Sequence, residues 1–139
     1  MNVLENIQQA ISLLKEVDEY YTQLNGNDGL ISVCDQKIDY WEHYLENEPL
    51  KITETYNICR EIKKQRQLRR NYKNDAELIK VFKDNEQKMG NAQYRDILMN
   101  QIHKTNNKQL GAKYNYSAYD TNEALDILGV KTEKDKVEG

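Results

Sequence analysis

The chain has little of what builds compact β structure, redox centres or catalytic sites. In 139 residues it has one proline (Pro49), one phenylalanine (Phe82), one tryptophan (Trp41), two histidines (His43 and His103) and two cysteines. Cys34 and Cys59 show no CxxC spacing, and neither stands at a metal-ligand interval from a histidine. That argues against a disulfide framework and the common zinc motifs, and it reads both thiols as apolar residues of a reducing compartment. No apolar run approaches the roughly eighteen residues of a membrane span. The start, MNVLENIQQAISLLKE, lacks the basic opening and continuous apolar core of a signal peptide, so a cytosolic location is expected. A serine elbow, a Cys and His pair, HExxH and a GxxxxGK loop are all missing, so neither enzymatic activity nor a cofactor or metal is expected.

Tyrosine and charge are abundant instead. There are ten tyrosines, and 31% of the residues are charged. A tyrosine can bury its ring and keep its hydroxyl wet, which suits a thin core or a subunit contact. Charge is also unevenly spread. The first fifty residues hold Lys15 and Lys37 against ten acids, a balance of −8, whereas residues 51 to 80 hold nine bases against four acids, a balance of +5.

The apolar pattern predicts helices in series within a single domain over residues 1 to 130. Val3, Ile7, Ala10, Leu14, Val17, Tyr21 and Leu24 repeat at alternating spacings of four and three, the seam of a coiled coil. Residues 25 to 29, NGNDG, predict a turn with Asp28 as a cap. Ile31, Cys34, Ile38, Trp41 and Leu45 continue the pattern, so a second helix is expected to fold back on the first as an antiparallel hairpin. After Pro49, with Thr53 or Thr55 as N-cap, a long basic helix runs to about Asp84 through Tyr56, Ile62, Tyr72, Ala76, Ile79 and Phe82. Between Lys63 and Asn71 its only hydrophobic residue is Leu68, so this stretch projects beyond the core or needs a partner. The pattern breaks at Met89-Gly90-Asn91, and a fourth helix spans Tyr94 to about Gln109 with Gly111 as its stop.

KYNYSAY, residues 113 to 119, alternates in the manner of a half-buried strand. A short helix through Leu128 follows, and residues 131 to 139 have the composition of a disordered tail. The fold class is mainly α with a small β element.

Two groups of residues suit an anion. Residues 56 to 73 carry seven bases against Glu61 alone, with Arg66, Arg69, Arg70 and Lys73 on one side of the helix and Arg60, Lys63 and Lys64 one or two turns earlier. Guanidinium groups bind phosphate bidentately and stack on flat rings. The plainer alternative is a solvated strip, or one paired with the acids of the first two helices. Tyr94, Arg95, Lys113, Tyr114, Asn115 and Tyr116 form the second group, with packing of a helix on a strand as its alternative. Phe82 reads as core. His43 in YWEHYLE, with Glu42 and Glu46 sharing a helix face at i and i+4, has the makings of an acid/base site, but exposed Glu and His on an acidic helix are far commoner than a site. Nucleic acid is disfavoured as a partner by the acidic total and the acidic N-terminal helices.

The segments LENIQQAISLLKEVDEYY, IDYWEHYLE, ITETYNICREIKKQRQLRRNYKND and YRDILMNQIHKTNNKQLGAKYNYSAY, in that order, resemble the first-described type of phage Thoeris anti-defense proteins. The likeness spans most of residues 3 to 119. It implies a homo-oligomer built on dimers in the host cytoplasm. Pockets between subunits would capture cyclic ADP-ribose isomers made by TIR-domain enzymes, as a sponge and without catalysis, and some relatives would also hold cyclic oligonucleotides. On this basis Arg60, Arg66, Arg69 and Arg70 are expected to bind phosphates, Tyr94, Tyr114 and Tyr116 to stack, and Arg95 and Asn115 to complete the polar contacts. Where the family leads one to expect arginine near the strand, this chain has Gly111, Ala112 and Ser117. A nucleic-acid binder using the basic strip and a helical inhibitor of a host protein are the rival readings.

Overall fold

A computed structural model describes residues 2 to 112 and 127 to 129. The chain divides into two units, residues 1 to 109 and 110 to 139. The first holds four helices, α1 (Val3–Leu24), α2 (Leu30–Asn47), α3 (Ile52–Asn85) and α4 (Ala92–Leu110, whose last residue opens the second unit), with a 3-10 turn at Glu86–Gly90 before α4. The expected strand at 113 to 119 and the tail at 131 to 139 lie outside the described residues, so the small β element is not part of the described fold. Of the expected last helix, Ile127 and Leu128 are helical.

Each helix boundary has a local cause. Asn2 caps α1, its Oδ1 accepting from the Glu5 amide at 3.1 Å, and Glu5 places a negative charge at the positive end of the helix. Leu24 closes α1 and is wholly buried. At the following corner Gly26 adopts φ +100°, a conformation costly for any residue with a Cβ. Gly29, rather than Asp28, is the N-cap of α2. A Cβ there would meet the Asn25 carbonyl oxygen at 2.5 Å. Lys51, rather than a threonine, is the N-cap of α3. Thr55 sits inside the first turn and donates from Oγ1 to the Lys51 carbonyl at 3.1 Å. Asn91 starts α4 by accepting from the Gln93 amide at 2.9 Å.

The helices pack differently from the expected α1/α2 hairpin. Asp18 pairs with Lys83 at 3.1 Å, Tyr20 donates to Asp75 at 2.7 Å, Asp35 pairs with Arg69 and Glu42 with Arg66. As residue numbers rise along α1 and α2, those of their partners on α3 fall. Both helices therefore run antiparallel to α3, one after the other, and the chain reverses at residues 48 to 51 instead of at 25 to 29. The hairpin is α2 on α3. Thirty-four residues give α3 a length of about 50 Å, enough to back α2 and the C-terminal part of α1. An apolar stripe dictates which face of a helix is buried but not against which neighbour, and the long third helix covers the stripe of α2 and the C-terminal end of that of α1.

Cys34 and Ile38 of α2 and Ile58 of α3 are buried. Each of the two isoleucines contributes roughly 1.5–3 kcal/mol. Where α3 lacks aliphatics, Gln65 fills the seam, 4% exposed, with its Nε2 donating to Glu61 Oε1 at 2.8 Å. A buried amide is tolerated because it is hydrogen-bonded. Further along, Gln109 Nε2 donates to the Asn74 carbonyl at 3.1 Å and to Glu77 at 3.0 Å, tying the end of α4 to α3. Leu98 of α4 is buried, and Phe82 is half-buried on α3.

The N-terminal half of α1 has no such cover. Val3, Leu4, Ile7, Ile11 and Leu14 are 43 to 65% exposed. The coiled-coil seam is buried only near its end, where Val17 and Tyr21 are half-buried and Leu24 is sealed.

Candidate anion-binding site

The basic strip of α3 divides into two faces, and helix geometry dictates the division. Arg66 and Arg69 lie toward α2. Arg66 Nη2 is 2.5 Å from Glu42 Oε1, and Arg69 Nε donates to Asp35 Oδ1. These two guanidinium groups are neutralised by the acidic helix beside them. Arg60, Lys63 and Lys64 fall on the side turned away from α2 and form no ion pair among the described residues. Arg70 lies a turn or two further along, exposed.

Around Arg60 the surface is concave. One groove of about 410 Å³ is lined by Tyr56, Cys59, Arg60, Lys63, Lys64 and Gln67. A second, of about 460 Å³, is lined by Asn57, Arg60, Glu61 and Lys64. Arg60 and Lys64 belong to both. The Arg60 guanidinium lies over the Tyr56 ring, 5.8 Å from its centroid, a cation–π contact that orients the charge without neutralising it. Glu61 is the one acid in this surface, and one of its oxygens accepts from Gln65.

A third groove, of about 390 Å³, opens where α2 meets the start of α3, with Trp41, Tyr40, Tyr44, Glu54, Asn57 and Ile58 among its lining residues. Tyr40 stands edge-on to Trp41 with centroids 4.9 Å apart, and Trp41 and Tyr44 are likewise edge-on at 5.6 Å. Asn57 is common to this groove and the 460 Å³ groove.

Among the described residues, the expected site residues are therefore not gathered in one place within a chain. Arg60 lies in the open grooves, while Arg66 and Arg69 face α2. Tyr94 and Arg95 stand at the start of α4, near the far end of α3, where Lys88 lies over the Tyr94 ring at 5.9 Å. About twenty-five residues of α3, close to 37 Å, separate that end from Arg60. Tyr114, Asn115 and Tyr116 lie outside the described residues. Lys63 and Lys64 belong to the basic group that the sequence marks as suited to an anion, whereas Tyr56 and the ring cluster at Tyr40, Trp41 and Tyr44 carry no such mark in the sequence reading. The signal for the rings was present: Tyr40 and Tyr44 are four apart on the helix that precedes Pro49, so a reversal at the proline sets them against the start of α3.

His43 and Glu46 are 3.7 Å apart and each is 73% exposed, a solvated surface pair. The Cys34 thiol is buried, and burial raises its pKa, whereas Cys59 is exposed beside the cations. Among the described residues no three His, Cys, Asp or Glu side chains gather as metal ligands, and no helix is long and apolar enough to cross a membrane. Family models, curated proteins and solved structures were all compared with the chain, and none matches it.

Proposed function

We propose that the protein captures a small phosphorylated anion of the cyclic ADP-ribose kind and holds it without converting it. The observation that carries this reading is the set of three cations, Arg60, Lys63 and Lys64, that have no carboxylate partner among the described residues, beside the Tyr56 ring in grooves sized for a small molecule. Three nearby cations repel one another, and a bound pyrophosphate relieves that repulsion through charge-assisted hydrogen bonds. A long polyanion fits less well, because Glu61 stands in the same surface and the chain as a whole carries a net charge of −3.

The resemblance to anti-defense sponges supplies the biological setting. In an infected cell the protein would withhold an immune signal from its effector, in the host cytoplasm, and no chemical step is needed for that. Self-association belongs to the same reading: the exposed stripe of α1, Val3 to Leu14, has the form of a helix awaiting a second copy.

Native mass spectrometry tests the proposal. The purified protein is mixed with the products of a TIR-domain enzyme supplied with NAD, then heated. Uptake of a cyclic ADP-ribose mass, with the same molecule recovered intact, is the expected result. No uptake, or recovery of a cleaved product, would overturn it.

A further inference from the structure

From the way the grooves adjoin, we infer that the aromatic groove at the α2/α3 reversal is a purine subsite, and that it completes the cation grooves into one nucleotide site. This inference rests on the capture reading above.

The Tyr40, Trp41 and Tyr44 rings give apolar and π faces against which a flat ring stacks. Glu54 and Asn57 line the same groove. A carboxylate accepts from an exocyclic amine, and an amide both donates and accepts, so together they suit the polar edge of a purine that carries an amino group.

Asn57 also lines the groove that holds Arg60 and Lys64, so the two grooves adjoin at that residue. The charge along this path is polarised. Glu54 stands at one end and Arg60 with Lys64 at the other, with six residues of helix, about 9 Å, between Glu54 and Arg60. A nucleotide fits in only one direction: amino-bearing base at Glu54, phosphate at Arg60. Reversal would set phosphate against carboxylate. At about 390 Å³ the aromatic groove is of the size that small-molecule sites occupy.

Trp41 is the only tryptophan, so its emission reports this groove alone. Cyclic ADP-ribose and inorganic pyrophosphate are each titrated into the full-length protein, followed by calorimetry and by Trp41 fluorescence. Cyclic ADP-ribose is expected to bind and quench Trp41, and pyrophosphate to bind without quenching. In a Glu54→Ala, Asn57→Ala variant, affinity for cyclic ADP-ribose should fall about tenfold while that for pyrophosphate is unchanged, with helicity checked by circular dichroism. Calorimetric binding of cyclic ADP-ribose with no change in Trp41 emission and no loss in the variant would overturn the purine subsite and leave the capture reading standing. Failure of both probes to bind would overturn the capture reading, and the subsite with it.

Discussion

Arg66 on α3 reaches Glu42 on α2, with Nη2 and Oε1 2.5 Å apart and both side chains about half exposed. This pair, with Arg69 and Asp35 one turn on, accounts for part of the charge contrast between the first fifty residues and the basic helix: the opposite charges lie against each other. Arg60, Lys63 and Lys64, on the side of α3 turned away from α2, keep their charge free of such pairs among the described residues.

Arg66→Gln should therefore act on stability and spare binding. An exposed pair contributes about 0–1 kcal/mol, so urea unfolding should shift by no more than that, and the shift should shrink in high salt. Calorimetry with cyclic ADP-ribose should give an affinity within about twofold of the parent protein, under 0.5 kcal/mol. A tenfold loss would put phosphate on Arg66.

Tyr20 couples α1 to α3 in a way that alkaline titration can read. Its hydroxyl donates to Asp75 at 2.7 Å, and burial, then that hydrogen bond beside a carboxylate, pushes its pKa up to about 12. The folded pKa lies above the unfolded value near 10, so folding favours the protonated phenol. Its contribution is complete below about pH 10 and is lost as the pH rises through 12. Tyr20→Phe should cost about 0.5–1.5 kcal/mol at neutral pH and flatten the fall in stability between pH 10 and 12. An unchanged alkaline profile in the variant would contradict the assignment.

The exposed seam of α1 makes a separate prediction. Ile7→Glu with Ile11→Glu places charge in the centre of the stripe, and each isoleucine buried in an interface contributes roughly 1.5–3 kcal/mol. Sedimentation velocity should show a smaller species for the double variant, with helicity unchanged by circular dichroism. The same species in both proteins would mean that this face stays in water.

Helix existence was legible from residues because the stripes of three and four are strong in α1 and α2 and because Pro49 and Gly90 punctuate the chain. Leu24 ends α1 where the periodicity stops, and α3 ends one residue beyond the expected Asp84. Helix pairing was not legible. NGNDG reads equally well as a reversal or as a corner, and only the length of α3 turns it into a corner. The candidate site was half legible: Arg60 and its neighbours stand out by charge, but which bases α2 neutralises depends on its facing α3, which no local pattern states. The aromatic groove was hidden for the same reason, since Trp41 and Ile58 come to line one groove only after the chain turns at Pro49.

The most direct measurement is calorimetric titration of cyclic ADP-ribose into the parent protein and into an Arg60→Glu, Lys64→Glu variant. Each lost charge-assisted contact costs about 1.5–3 kcal/mol, so affinity should fall at least a hundredfold, with helicity and thermal unfolding close to those of the parent because neither side chain is buried. Equal affinity in a folded variant would contradict the account and move the anion site away from this face of α3.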